Sequence, residues 1–469
     1  MPRPLVAGLD SSTQSAKIVV CDAETGDVVR QARAAHPDGT EVSALHWWRA
    51  WEQVSADGML DGVLALSVGG QQHGMVTLDG DDQLVRDALL WNDTRSADAA
   101  RDLVQELGGP QAWVDRVDVV PLAAFTVAKL RWLADHEPDN VARTERVLLP
   151  HDWLTGRILQ SDGGFERWTT DRGDASGTGY WSPVSEKYDE DLVYRACGRQ
   201  VQLPHVLAPN GVAGRTTAGI LVAPGTGDNM AAALSLGLQP GEAVVSLGTS
   251  GTVYAAHDRP SGDASGAVAG FADAAGGHLP LMCTLNAARV LSAGAAMLGT
   301  DLAGLDRLAL AADAGAGGLV LLPYLDGERT PNLPGATGTI GGLTRANATP
   351  ENLARACVEG MLANLAAGIA DLRAVGVRVD RALLIGGAAA SAAVRAIAPM
   401  VLGVPVGIPE GAEYVALGAA RQAAWVLSGE GSQLPPWSVG REAVIDAPAG
   451  GQGEQIRGRY DELRTALHG

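Results

Sequence analysis

Asp10 closes an apolar run, Val6-Ala7-Gly8-Leu9, and is followed by Ser11-Ser12-Thr13-Gln14 before a second apolar run begins at Ala16. Small turn residues leave backbone N–H groups unobstructed and hydroxyls add donors, so such a turn can hold an anion. A carboxylate ending an apolar strand needs a hydrogen bond or a cation nearby. Two readings stay open for Asp10: the start of an Asx-turn, or a ligand, direct or through water, for Mg²⁺ on nucleotide phosphates. Asp228 follows Gly225-Thr226-Gly227 and precedes an apolar run. It reads as a helix N-cap, or as the acceptor of a hydrogen bond from a substrate hydroxyl that attacks phosphorus, with Asn229 on a neighbouring hydroxyl. Gln72-His73, set among glycines after the apolar run 63–68, offers the donors and acceptors a polyol needs, although a lone histidine is often structural.

These residues must be carried by strands and turns. The pattern around Asp10 returns at Val244-Val245-Ser246-Leu247-Gly248-Thr249-Ser250-Gly251-Thr252, without the carboxylate. Two phosphate-type hairpins in opposite halves suggest duplicated lobes facing each other across a nucleotide. Runs 5–10, 16–21 and 28–33 read as a three-strand meander, and Trp47, Trp48 and Trp51 mark an amphipathic helix over 45–56. Further helices are expected at 97–107, 127–136, 230–236, 350–375, 389–402 and finally 415–427. Strands are expected at 221–223, 319–322 and 382–385. This alternation implies an α/β fold with mixed sheets. The break at Gly237-Leu238-Gln239-Pro240-Gly241 sets the expected domains at 1–238 and 239–469. Gly386-Gly387-Ala388 reads as a simple turn or as a flat rest for a nucleoside, and Asp326-Gly327-Glu328-Arg329 as a local ion pair.

Bulk properties narrow the function. A chain of 469 residues exceeds the size of one growing core, so two domains are expected. The formal net charge of −19 argues against a nucleic-acid or anionic-membrane partner. Cys21, Cys197, Cys283 and Cys357 are widely spaced and read as reduced thiols. Met1-Pro2-Arg3-Pro4 leads into a strand without an apolar leader, so a cytoplasmic location is expected. Lys17, Lys129 and Lys187 all lack the preceding glycine of a Walker loop, and no dinucleotide fingerprint occurs, which disfavours a dehydrogenase.

The ordered segments Gly8–Thr13, Gly70–Gly74, Leu90–Arg95, Phe125–Leu130, Val147–Asp152, Gly227–Asn229, Ser246–Gly251, Leu322–Pro331 and Leu384–Gly387 resemble the FGGY sugar kinases from about residue 5 to 425. That resemblance implies two ribonuclease-H-like lobes of the actin/hexokinase type about a central cleft, closing near Gly237–Gly241. It implies ATP and Mg²⁺ as cofactors and an open-chain ketopentose, D-xylulose first, as substrate. Asp228 would be the catalytic base, and Gln72, His73, Asp228 and Asn229 would hold the sugar. Asp10 would act at the metal, with Ser12, Thr13, Gly248, Thr249 and Ser250 around the phosphates and Gly386, Gly387 and Ala388 by the nucleoside. Gln72 stands where many members have Met, and Ala388 where many have a third glycine. Members are often homodimers, and the sequence alone does not specify assembly. A kinase for ribulose or glycerol, or an inactive sugar or nucleotide sensor, are the alternatives; loss of Asp10 or Asp228 would mark the sensor, and both are present.

Overall fold

The computed structural model describes residues 3–437, 440 and 444–469. The chain packs as two compact units, one of Met1–Gly237, His257–Leu279 and Ala412–Val439, the other of Leu238–Ala256, Pro280–Gly411 and Gly440–Gly469. Two stretches of the second half therefore pack with the first unit.

In the first unit, strand Leu5–Ser11 pairs antiparallel with Ser15–Asp22 and parallel with Val63–Gly70; Val28–Ala35 extends one side and Leu221–Val222 the other. Side chains alternate across a strand, so Ala7 and Leu9 face one way and Val6, Gly8 and Asp10 the other. The first face packs against helix Leu45–Val54 through buried Trp47 and Trp51. The second packs against helix Tyr414–Leu427, whose Ala416, Ala420, Ala423 and Ala424 join Val6, Val19 and Ala65 in a core of small side chains.

Contact on that second face is very close. A Cβ on Gly8 would lie 2.0 Å from Ala416 O and 2.2 Å from Ala420 N. A Cβ on Gly418 would lie 1.8 Å from Ala231 O, in helix Asp228–Leu236. Backbone meets backbone at both places, so neither site can yield by rotating a side chain. Polar ties complete the arrangement. Ser67 Oγ donates to Gln422 Oε1 (2.5 Å), and Gln422 Nε2 donates to Gly225 O (3.0 Å) and Pro209 O (3.2 Å). One helix thus fixes the strand bearing Asp10 and the loop leading to Asp228.

The second unit repeats the arrangement. Gly241–Leu247 pairs antiparallel with Gly251–Ala255 and parallel with Val379–Ile385, flanked by 280–284 and by Val406–Gly407. Both sheets are mixed, as expected. Helix Pro350–Ala374 is long and apolar enough to cross a membrane, but 83% of its most apolar window is buried in the protein. It is a core helix. The expected pairing within Asp326-Gly327-Glu328-Arg329 does not form. Asp326 pairs with Arg289 (2.5 Å), while buried Glu328 accepts from Leu285 N (2.5 Å), Asn286 Nδ2 (3.1 Å), Asn364 Nδ2 (3.0 Å) and Arg329 N (2.8 Å). Helix Gln452–His468 was not anticipated, since its surface is mostly polar. Its sequence signal is the helical spacing of Ile456, Tyr460, Leu463 and Leu467; Ile456 and Tyr460 are buried, and the Tyr460 hydroxyl meets Tyr324 and Asn364 at 3.1 Å each.

Gly418→Ala forces a methyl group against a carbonyl oxygen and should cost about 1–3 kcal/mol or more. Gly458, exposed in a helix with nothing within 4 Å of its Cβ position, is the control. There the same substitution should be neutral or stabilising by up to about 1 kcal/mol. Thermal unfolding of the two variants checks this; equal midpoints would count against the close-packing account.

Candidate active site

Strand Leu5–Ser11 delivers Asp10 to its end, on the face covered by helix Tyr414–Leu427 and opposite Lys17. Asp10 is 3% exposed. Ser12 Oγ donates to its Oδ1, and Lys17 Nζ lies 3.7 Å from its Oδ2. Lys17 is bound closer to Glu413, at 2.6 Å. Asp10 therefore shares Lys17 with Glu413, and burial pushes its carboxyl up to about 6, with Ser12 and Lys17 acting against the rise.

The hydroxyls of this turn are already engaged in different ways. That of Ser12 donates to Asp10, and the Ser12 backbone amide acts on the same carboxyl. Thr13 Oγ1 accepts from Trp91 Nε1 (2.9 Å), which leaves its own hydrogen to donate. His36 Nδ1 lies 2.9 Å from Ser12 O and steadies the turn.

Strand Val63–Gly70 runs into Gln71-Gln72-His73. Beside its end lies the short strand Thr226–Gly227, parallel to Gly69–Gly70, and Asp228 opens the following helix. Two strand ends side by side bring Gln72 and Asp228 together. Asn229 links them: its Nδ2 donates to Gln72 Oε1 (3.1 Å) and to Asp228 Oδ1 (2.9 Å), and its backbone N donates to the same Oδ1 (2.8 Å). Asp228 is the first residue of the helix rather than its cap, which is Gly227. The N-cap reading is thereby replaced. Asp228 keeps a partly exposed side; desolvation, and next the charge of Asp10, push its carboxyl up to about 7. That value suits a group that must accept a proton near neutrality.

His73 sits at φ 65, in the left-handed region that side-chain-bearing residues rarely occupy. Its Nδ1 is 2.6 Å from Gly177 O, its ring lies against Phe125 and Phe271 at centroid distances of 4.8 and 5.6 Å, and its carbonyl accepts from Thr126 Oγ1. Around it, Gln72 Nε2, both amide atoms of Gln71 and Thr226 Oγ1 are buried without a protein partner. Buried polar atoms are normally satisfied, so this group departs from the usual pattern.

In the second unit, Gly248, Thr249 and Ser250 form an accessible turn whose carbonyls at 248 and 249 accept from Ala288 N (2.9 Å) and Ala287 N (3.2 Å). Gly386, at φ +89, closes on the same strand end: a Cβ there would lie 2.7 Å from Leu247 C. Gly386 and Gly387 are exposed and Ala388 is buried, so the methyl at the third position turns inward and leaves the outer surface flat. Sequence reasoning missed the partners Lys17, Glu413 and Trp91, and the enclosed group His151, Asp152, Asp171 and Asp174. No three of the described His, Cys, Asp and Glu side chains are disposed to hold a metal ion by themselves.

The chain is 47% identical over 463 residues to the xylulose kinases of Streptomyces coelicolor and Streptomyces rubiginosus, covering 95% of this chain and 93% of each relative. Its structure superposes on the crystal structure of xylulose kinase from Bifidobacterium adolescentis with a TM-score of 0.89 at 44% identity, over 99% of this chain and 100% of that one. It also superposes on Plasmodium falciparum glycerol kinase with ADP at a TM-score of 0.83, over 99% of this chain and 98% of that one; the 16% identity there speaks for the fold alone. Residues 5–235 match the N-terminal domain of the FGGY family of carbohydrate kinases and 243–427 its C-terminal domain. With both domains matched in order and the hairpin-plus-parallel-strand arrangement present in both units, the chain belongs to the FGGY family of carbohydrate kinases.

Proposed function

We propose that this protein transfers the terminal phosphoryl group of ATP to D-xylulose, giving D-xylulose 5-phosphate. The observation that carries the reading is the placement of Asp228 beside Gln72, tied to it through Asn229, at the strand end that continues into His73. We assign the sugar, the first phosphate turn and the base to 1–238, and the second phosphate turn and nucleoside surface to 239–469.

Asp228 takes the hydrogen bond of the sugar hydroxyl and then its proton. Phosphoryl transfer passes through a loose transition state, so orienting the attacking oxygen is the larger part of that task. Asn229 holds one carboxyl oxygen from two donors, which fixes the direction of the other. Gln72 Nε2 and the Gln71 amide supply hydroxyl partners. In the first unit the turn of 12–13, with the Thr13 hydroxyl, is suited to phosphate, and in the second unit the turn amides of 248–250 are. Asp10 fits a hydrated Mg²⁺: it is a hard oxygen donor, buried, and short of positive charge because Lys17 is shared with Glu413. When bound, Mg²⁺ supplies neutralisation of phosphate charge. All four cysteines are free and buried, which supports a reducing, cytoplasmic setting.

Asp228→Asn keeps the shape and loses the base. It should lower kcat by about 10²–10⁴-fold while ATP binding, followed by calorimetry, is largely retained. Near-normal turnover would remove Asp228 from the mechanism. Because the base must be ionised, kcat/KM for the sugar should fall as pH drops through about 7 and level off above it; a profile flat from well below that value would contradict the assignment. A coupled assay over D-xylulose, D-ribulose, L-ribulose and glycerol should give the highest kcat/KM with D-xylulose. Preference for another acceptor by about tenfold, or 1.4 kcal/mol, would transfer the reading to that substrate.

A further inference from the structure

His151, the second residue of helix Pro150–Ser161, is completely enclosed. Its Nε2 lies 3.4 Å from Asp152 Oδ1, 3.2 Å from Asp171 Oδ1 and 3.2 Å from Asp174 Oδ2. Among the described residues no lysine or arginine pairs with any of these three carboxyls. Asp171 caps the short helix Arg172–Ser176 by accepting from Gly173 N (2.8 Å) and Asp174 N (3.0 Å), and Asp152 Oδ2 accepts from Leu149 N (2.8 Å). Both oxygens of Asp174, Asp152 Oδ1 and both ring nitrogens lack an aligned hydrogen bond. Three carboxyl oxygens nevertheless converge on one ring nitrogen. A neutral imidazole here would leave whichever of the three enclosed carboxyls are ionised with no opposing charge, at a cost of several kcal/mol per ion.

The ring is also wedged between the two functional loops. A Cβ on Gly70 would lie 2.9 Å from His151 Cβ, and one on Gly225 would lie 2.6 Å from its Nδ1. Gly70 precedes Gln71-Gln72-His73, and Gly225 leads to Asp228. Helix Arg172–Ser176 ends at Gly177, whose carbonyl lies against His73 Nδ1.

We infer that His151 is a permanent imidazolium acting as a positioning residue, whose charge gathers Asp152, Asp171 and Asp174 behind the sugar site and so fixes His73 and the approach to Asp228. The catalytic consequence rests on the sugar-kinase reading; the charge does not. Burial opposes the charge, yet Asp152, Asp171 and Asp174 hold His151 well above the ordinary imidazole value. Burial pushes Asp174 up to about 6 and Asp152 to about 7; Asp228 adds to the rise of Asp174. Tyr180 and Tyr188 face the same cluster, and both are raised by burial.

The first measurement is a long-range nitrogen–proton NMR spectrum of the full chain carrying ¹⁵N-histidine. The His151 signal is assigned as the one that Asp174→Asn displaces and His151→Gln removes. Both ring nitrogens should remain protonated about two pH units above the ordinary imidazole value. A neutral tautomer there, or a stoichiometric bound metal found by elemental analysis, overturns the inference. The second measurement is rescue. His151→Gln should lower kcat/KM for D-xylulose about tenfold or more with KM for ATP within about twofold, and His151→Lys should restore it to within about threefold, as expected for a coupled charge network. A lysine variant as impaired as the glutamine variant, in folded protein, overturns it. If His151→Gln does not fold, the wild-type spectrum with Asp174→Asn decides. Wild-type enzyme inert toward every sugar would defeat the sugar-kinase reading and still leave the spectrum to decide the charge.

Discussion

The first unit depends on how closely helix Tyr414–Leu427 can approach its neighbours. Gly8 and Gly418 carry no side chain, so backbone lies against backbone on both sides of that helix. The contact fixes Asp10, two residues beyond Gly8 on the same strand face, relative to helix Asp228–Leu236. Gln422, from the same helix, then holds the carbonyl of Gly225. The polar geometry of the site is inherited from this apolar contact. Small residues here act by their size, and adding one methyl group at Gly418 tests the site as much as the fold.

Electrostatics builds on that frame. Burial raises the proton affinity of both Asp10 and Asp228, and the charge of Asp10 adds to the rise of Asp228, in a place that offers little compensating charge. Lys17 is divided between Asp10 and Glu413, and Asn229 gives Asp228 dipoles rather than a cation. Such an arrangement is costly in isolation, and functional sites tolerate costs that cores do not. Cationic ligands at Asp10 and a hydroxyl donor at Asp228 would relieve it. His73 in its left-handed conformation and the unpartnered atoms of Gln71, Gln72 and Thr226 are further departures from local preference, concentrated in the same place.

Much of this was legible because it lies in local pattern. The hairpins at 10–14 and 247–251, the apolar run before Gln72, and the amphipathic helix with Trp47 and Trp51 all follow from alternation and turn chemistry. Asp228 and Gln72 could each be singled out, but their union requires Thr226–Gly227 to pair with Gly69–Gly70, a register between strands over 150 residues apart. The return of 412–437 to the first unit left no mark in the periodicity, since an alanine-rich helix is compatible with many packing partners. Glu328 looked like half of a surface ion pair, and its burial follows from amide donors at 286 and 364 that only the tertiary fold assembles. His151 was quoted within a motif but given no role, because three carboxyls from 152, 171 and 174 converge on it only in space.

The most direct test of the account follows phosphorus itself. Wild-type protein incubated with Mg·ATP and D-xylulose should, by ³¹P NMR, produce a sugar phosphate ester coupled to the two protons of carbon 5, in step with ADP. ADP formed without an ester, or a phosphate on a different carbon, would contradict the claim that Asp228 activates that hydroxyl.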